Sequence, residues 1–218
     1  VIPKYAPDAV IGVVGSGAAP AAAVAAGGGA AKGAEPSGHR PMFYAQVVKP
    51  AAQCRHGWSL DMLNEGAIFV NKVSSDPESP VAAYNNSVPD ELRIKPYDYI
   101  IEVNGKRGTQ EMYKLFGKDE HLELLVQRPL WLDVDVRKDG KPLGVELKFG
   151  TAASFVFVDA IGHGVIKRGR HDVRVGDRIT SASTPGGDDL TASPQSIVTA
   201  LKELDPLKLR ICRLPDQT

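Results

Sequence analysis

The sequence predicts a mostly-β α+β protein: two modules of one design, preceded by an extended arm of different composition. Three observations predict this. A phrase of strand, small helix, turn and strand occurs twice, at residues 66–105 and again at 154–180. Leu132-Asp-Val-Asp-Val-Arg137 alternates apolar and charged residues, the signature of a half-buried strand. Residues 9–31 carry no charge and consist almost wholly of Ala, Gly and Val.

At 218 residues the chain has room for one large or two small domains. The repeat decides for two: residues 42–128 and 131–214, each large enough for a modest core. Lys plus Arg equals Asp plus Glu at 26 each, so net charge steers the chain toward neither nucleic acid nor an acidic membrane surface. Aromatic residues make up 6%, with no basic face interleaved among them, which also speaks against a nucleic-acid partner. The two cysteines, Cys54 and Cys212, fall one in each repeat. They read as free or buried thiols, although a single bridge between them remains open. No Cys/His cluster has metal-ligand spacing, so neither a metal nor a cofactor is expected.

The arm, residues 1–41, begins at Val1 rather than Met, as a processed or trimmed chain does. Within it, Val10-Ile-Gly-Val-Val-Gly15-Ser-Gly17-Ala-Ala-Pro20 has the outline of a dinucleotide-binding glycine loop. Pro20 falls on the third small position, however, and Gly27-Gly28-Gly29 breaks the helix that must follow. Residues 9–31 are long enough to cross a bilayer but poor in strongly apolar side chains. A flexible tail is the third reading. Such a tail has too little apolar area to offset its ordering entropy, so an ordered arm is expected to lie against another protein.

The first copy of the repeated phrase is Gly66-Ala-Ile-Phe-Val-Asn-Lys-Val, Ser79-Pro-Val-Ala-Ala-Tyr and Leu92-Arg-Ile-Lys-Pro-Tyr-Asp-Tyr-Ile-Ile-Glu-Val-Asn-Gly105. The second is Ser154-Phe-Val-Phe-Val-Asp-Ala-Ile, Gly164-Val-Ile-Lys-Arg and Val173-Arg-Val-Gly-Asp-Arg-Ile-Thr180. Together they resemble the PDZ family, in which a small helix precedes a V-x-x-G-D-x-I-x-x-V-N-G segment. The resemblance implies two partly open β-barrels or sandwiches, each with two helices and a peptide-binding groove between an edge strand and a helix.

In the first module the resemblance places the groove's loop at Arg55-His56-Gly57-Trp58, with His56 where an apolar residue is expected and Trp58 opening the strand. Gly57 keeps the backbone free, and Arg55 offers a positive charge to a carboxylate. The polar approach Lys49–Arg55 and a short helix near Thr109–Phe116 suggest a groove that binds an internal segment or is filled by the chain itself. Arg128-Pro-Leu130 joins the modules, too short for a flexible tether and so expected to hold them as one body.

In the second module Lys138-Asp-Gly-Lys141 is a turn, and Pro142-Leu143-Gly144-Val145 matches the family's x-Φ-G-Φ loop. Glycine there lets successive N–H groups converge on a peptide's terminal carboxylate, while the adjoining strand edge pairs with the peptide. The opposing wall is a helix over Pro194–Leu204, N-capped by Ser193, with Ile197, Val198, Leu201 and Leu204 on one stripe. Val198 and Leu201 are expected to face Val145 and Leu147 around a pocket for the ligand's last side chain, whose burial is worth roughly 1.5–3 kcal/mol. Many family members begin this helix with a histidine that binds a ligand hydroxyl. Pro194 stands there instead, which implies a ligand apolar at that position.

No catalytic residues are expected. A nucleophile elbow is absent, and Asp133/Asp135 and Asp188-Asp189 read as solvated carboxylates. The leading expectation is a non-catalytic interaction scaffold, an accessory subunit whose arm docks on partner proteins. Two alternatives stand beside it: a free adaptor that takes C-terminal peptides through the second groove, and the regulatory part of a protease. A further resemblance, in Val81–Asp90, Lys95-Pro96 and Ile100–Gly108, is to PDZ-like modules common in dinoflagellate proteins. It implies a plastid setting, peripheral to a thylakoid photosystem–antenna complex, with membrane association only through partners.

Overall fold

The computed structural model describes residues 12–13, 42–51, 54–150, 153–187 and 193–216. Asp188, Asp189 and all of the arm except Gly12–Val13 lie outside the described residues. Two hydrophobic cores organise the rest, one for each copy of the repeated phrase.

The first core is enclosed by five antiparallel strands. β1 (Gly12–Val13) belongs elsewhere; the sheet starts at β2 (Met42–Val48), which alternates exposed and buried so that Phe43, Ala45 and Val47 point inward. β3 (Trp58–Asp61), β4 (Ile68–Val73), β5 (Tyr99–Val103) and β6 (His121–Gln127) complete it in the spatial order β2-β6-β5-β4-β3. Helix α1 (Pro80–Ser87) starts with proline at its first turn, where the missing N–H is harmless, and Ser79 caps it. Helix α2 (Thr109–Lys118) buries Met112 and Phe116, one turn apart.

The second core repeats the plan. β7 (Leu130–Val136), β8 (Val145–Lys148), β9 (Val156–Ile161), β10 (Arg178–Ser183) and β11 (Leu207–Arg213) lie in the order β8-β9-β10-β11-β7, with helices α3 (Val165–Gly169) and α4 (Pro194–Glu203). Among each module's own five strands the second lies at one end and the first at the other; β1 adds a sixth strand beyond β8, and neither sheet closes into a barrel. The mostly-β α+β architecture with two helices per module is the one expected. The expected cap and proline of α4 are also in place: the Ser193 side chain accepts from the Ser196 N–H.

The duplication extends to a buried ion pair that sequence reading did not single out. In the turn before β10, the Asp177 carboxylate accepts from the Arg174 N–H and from both Nε and Nη2 of Arg213, at 2.7 and 2.8 Å. In the turn before β5, Asp98 accepts from the Lys95 N–H and from Arg128. Each arginine follows or ends its module's last strand, so the pair ties that strand to the turn that launches the central one. Asp177 and Arg213 are both buried. Arg213 is held protonated even more firmly than usual, because hydrogen bonds and charge from Asp177 and Asp172 outweigh its burial.

Of the paired carboxylates named from sequence, Asp133 and Asp135 are described, and both are exposed on β7. Asp133, directly opposite Arg210 on the outer face of β7, pairs with Arg210 at 3.0 Å and with Lys208 at 3.3 Å. Cys54 and Cys212 are not joined in a disulfide. Among the described residues no His/Cys/Asp/Glu group has the geometry to hold a metal, and no helix is long and apolar enough to cross a membrane.

Removing one partner of a buried pair strands the other charge, so Arg213→Met is expected to lower stability by about 3–5 kcal/mol. Asp133→Asn, on the exposed pair, is expected to change it by less than about 1 kcal/mol. Denaturant unfolding of the full chain checks both.

Candidate functional site

The loop entering β8 is shaped by where its carbonyls go. The Pro142 carbonyl accepts from the Val165 N–H at 3.0 Å, that of Leu143 from Ile166 at 3.2 Å, and that of Gly144 from Gly162 at 3.0 Å. Three consecutive carbonyls therefore point toward the start of α3. In a planar trans peptide the N–H of the next residue points the opposite way. The N–H groups of Leu143, Gly144 and Val145 are thus directed together, away from α3, which is the arrangement of an anion-accepting nest.

Glycine is required for this geometry. Gly144 has φ +81°, and a Cβ on it would meet the Cα of Gly164 at 2.5 Å. A Cβ on Gly164 would in turn meet the Cα of Gly144 at 2.4 Å. Two backbones touch here, and the sequence supplies glycine to both.

Beside the nest runs the edge of β8. Val145 and Leu147 face inward and share the second core with Ile197 and Leu201 of α4, while Val198 and Leu204 pack at its margin. Leu143 and Leu201 are fully buried, so they act first as core residues, and Val198 is the half-buried member. Helix α4 is held at its C-terminal end by a buried lysine. Lys138 Nζ donates to the carbonyls of Leu201 and Lys202 at 3.1 and 2.7 Å, placing a cation on the helix's negative end.

The edge of β8 is already engaged. β1 pairs with it antiparallel, with Gly12 opposite Leu147 and Val13 opposite Glu146, making a sixth strand. Self-occupation was expected at the first module's groove; this pairing lies on the second.

The first module repeats the loop with two changes. The His56 carbonyl accepts from the Val81 N–H at 3.0 Å and that of Gly57 from Ser74 at 2.7 Å, so the N–H groups of Gly57 and Trp58 point outward as in the second module. Pro80 stands where the second module has Val165 and has no N–H to give; the Arg55 carbonyl accepts instead from Cys54 Sγ at 3.6 Å. Gly57 (φ +89°) packs against Ser79, the counterpart of Gly164. Aromatic rings cluster around this loop. His56 stacks on Trp58 at 5.2 Å, and Phe116 of α2 meets both edge-on at 5.6 and 5.4 Å.

Lys49, buried like Lys138, donates to the Phe116 carbonyl at 3.0 Å. Burial, and secondarily the Lys49 charge, pull the His56 pKa down to about 4. At neutral pH this histidine is therefore an uncharged ring doing an apolar residue's packing.

Of the residues expected to form the sites, the structure brings Leu143, Gly144, Val145, Leu147, Val198 and Leu201 together around one loop and core. It likewise brings together His56, Gly57 and Trp58. Sequence reading missed Gly164, Phe116, Lys49 and Lys138. The signal for Gly164 and Ser79 was present, since each stands just before the first helix in its copy of the phrase.

No family model and no curated protein matches the chain. Among solved structures it is similar to INAD PDZ45 in complex with NG2 peptide, at 20% identity and a TM-score of 0.34 over 85% of this chain and 95% of that one. It is similar to INAD PDZ45 with NORPA CC-PBM at 19% identity and 0.35, over 83% and 96%. MUPP1 PDZ4 matches at 21% and 0.33, over 41% of this chain and 76% of that one.

Two outcomes are expected. Gly144→Ala places a side chain in a left-handed conformation and against the Gly164 backbone, so it is expected to cost about 1–3 kcal/mol of stability in denaturant unfolding. His56 binds its proton less readily folded than unfolded, so the folded state loses stability as pH falls from about 6.5 toward 4. His56→Phe is expected to flatten that part of the stability–pH curve for the first module.

Proposed function

We propose that the chain is a non-catalytic protein-interaction protein whose second module binds the C-terminal peptides of other proteins along β8. The observation that carries this reading is the set of three consecutive N–H groups, at Leu143, Gly144 and Val145, turned outward by three bonded carbonyls. A peptide carboxylate is the ligand such a nest suits, because ionised acceptors form stronger hydrogen bonds than neutral ones. The β8 edge then supplies main-chain pairing to the peptide, as in strand addition.

Selectivity comes from the walls. Val145, Leu147, Val198 and Leu201 favour an apolar last side chain. Pro194 at the start of α4 has no side-chain donor or acceptor, which favours an apolar residue further from the peptide's end as well. The first module offers less: two of its loop carbonyls accept from backbone N–H groups, and its own His56, Trp58 and Phe116 rings pack together. We assign it a structural role.

The test is titration of the full chain, at constant pH, with short peptides that differ in their last residue. A peptide ending in valine or leucine with a free carboxylate is expected to bind. Its amidated form is expected to bind roughly 10- to 100-fold more weakly, matching about 1.5–3 kcal/mol for hydrogen bonds to a charged group. Absence of binding across varied C-termini, or equal affinity of acid and amide, would contradict the proposal.

A further inference from the structure

The strand that covers β8 comes from the chain's own arm, and its direction matters. From Gly12 to Val13 the opposing residue steps from Leu147 back to Glu146, toward the Leu143–Val145 loop. A peptide that places its carboxylate on that loop must run antiparallel to β8 and end at the loop. β1 therefore lies on the proposed ligand's track with the ligand's polarity. What it lacks is the carboxylate, because the chain continues past Val13.

Composition singles out the same place. Within residues 9–31, every side chain larger than alanine, serine or proline is in the cluster Val10, Ile11, Val13 and Val14, apart from Val24. β-Branched residues are those that favour extended pairing. The residues that pair with β8 thus lie within the cluster of β-branched residues in 9–31.

We propose that this segment is an intramolecular pseudo-ligand that occupies the second module's peptide track and must be displaced by an incoming C-terminal peptide. The proposal rests on the peptide-binding reading above and adds its regulation. Two pairing residues make a weak contact, but a segment on the same chain acts at an effective concentration on the order of millimolar. The free peptide gains charged hydrogen bonds at the nest that β1 cannot make. Apparent peptide affinity is reduced by the fraction of chains whose edge is covered. A partner that holds the arm elsewhere would raise it.

The test uses the full chain and the double variant Gly12→Pro, Val13→Pro, in which proline cannot complete the ladder. The substitutions leave every described core residue of both modules unchanged, so the modules are expected to stay folded. Hydrogen exchange is read at the β8 amides without peptide, and a peptide ending in valine is titrated into both proteins. The expected result is faster β8 exchange in the variant and peptide affinity increased about tenfold. Unchanged exchange overturns the proposal whatever the peptide does. Protection in the unaltered chain that grows with protein concentration also overturns it, since the arm would then act between chains. Equal peptide affinity for both proteins overturns displacement while leaving the peptide-binding reading intact. Failure of the peptide to bind either protein overturns that reading, and with it the displacement. The exchange result then decides separately whether the arm covers β8.

Discussion

The contact between Gly144 and Gly164 is the constraint on which the site depends. Only two residues without Cβ atoms let the loop before β8 lie against the start of α3. That closeness brings the carbonyls of Pro142, Leu143 and Gly144 within reach of the Val165, Ile166 and Gly162 N–H groups. With the carbonyls so bonded, planar peptide geometry leaves the following N–H groups facing outward. The proposed ligand chemistry is a by-product of satisfying backbone groups that burial would otherwise leave costly. Side chains contribute by walling the groove, and the buried Lys138 fixes the wall that α4 supplies.

The two modules show how small differences on one scaffold separate two roles. Both keep the edge-strand order, the capping lysine, the aspartate–arginine turn and a glycine with positive φ in the loop. The first replaces Val165 with Pro80, losing one donor, and replaces small or aliphatic residues with His56, Trp58 and Phe116. Those rings pack on one another, and the histidine is held neutral by its surroundings. A duplicated fold therefore carries one loop with three carbonyls bonded to backbone N–H groups and one with two.

Much of this was legible in the sequence. The repeat gave both modules; alternation gave β7; Ser193-Pro194 gave the start of α4; Leu143-Gly144-Val145 gave the loop. Less legible was anything that depends on distant residues meeting. Arg213 and Asp177, or Lys49 and Phe116, are far apart in sequence, and neither bears a local pattern. The arm's pairing was missed for a related reason: a two-residue strand among alanines and glycines has almost no periodicity to read, and its partner edge is known only from the folded sheet. Two asparagines in Val81–Asp90 and Ile100–Gly108 also hold distant segments together. Asn85 brackets the backbone of Ile94, and Asn104 bonds His121, Asp119 and Glu123 across a tight turn.

The central claim is that three loop amides receive a carboxylate. The most direct measurement is the amide NMR signals of Leu143, Gly144 and Val145 during addition of one peptide as its free acid and as its amide. The account predicts that all three signals move with the acid and move far less with the amide. Signals that stay put with the acid, or that respond equally to both forms, would contradict it.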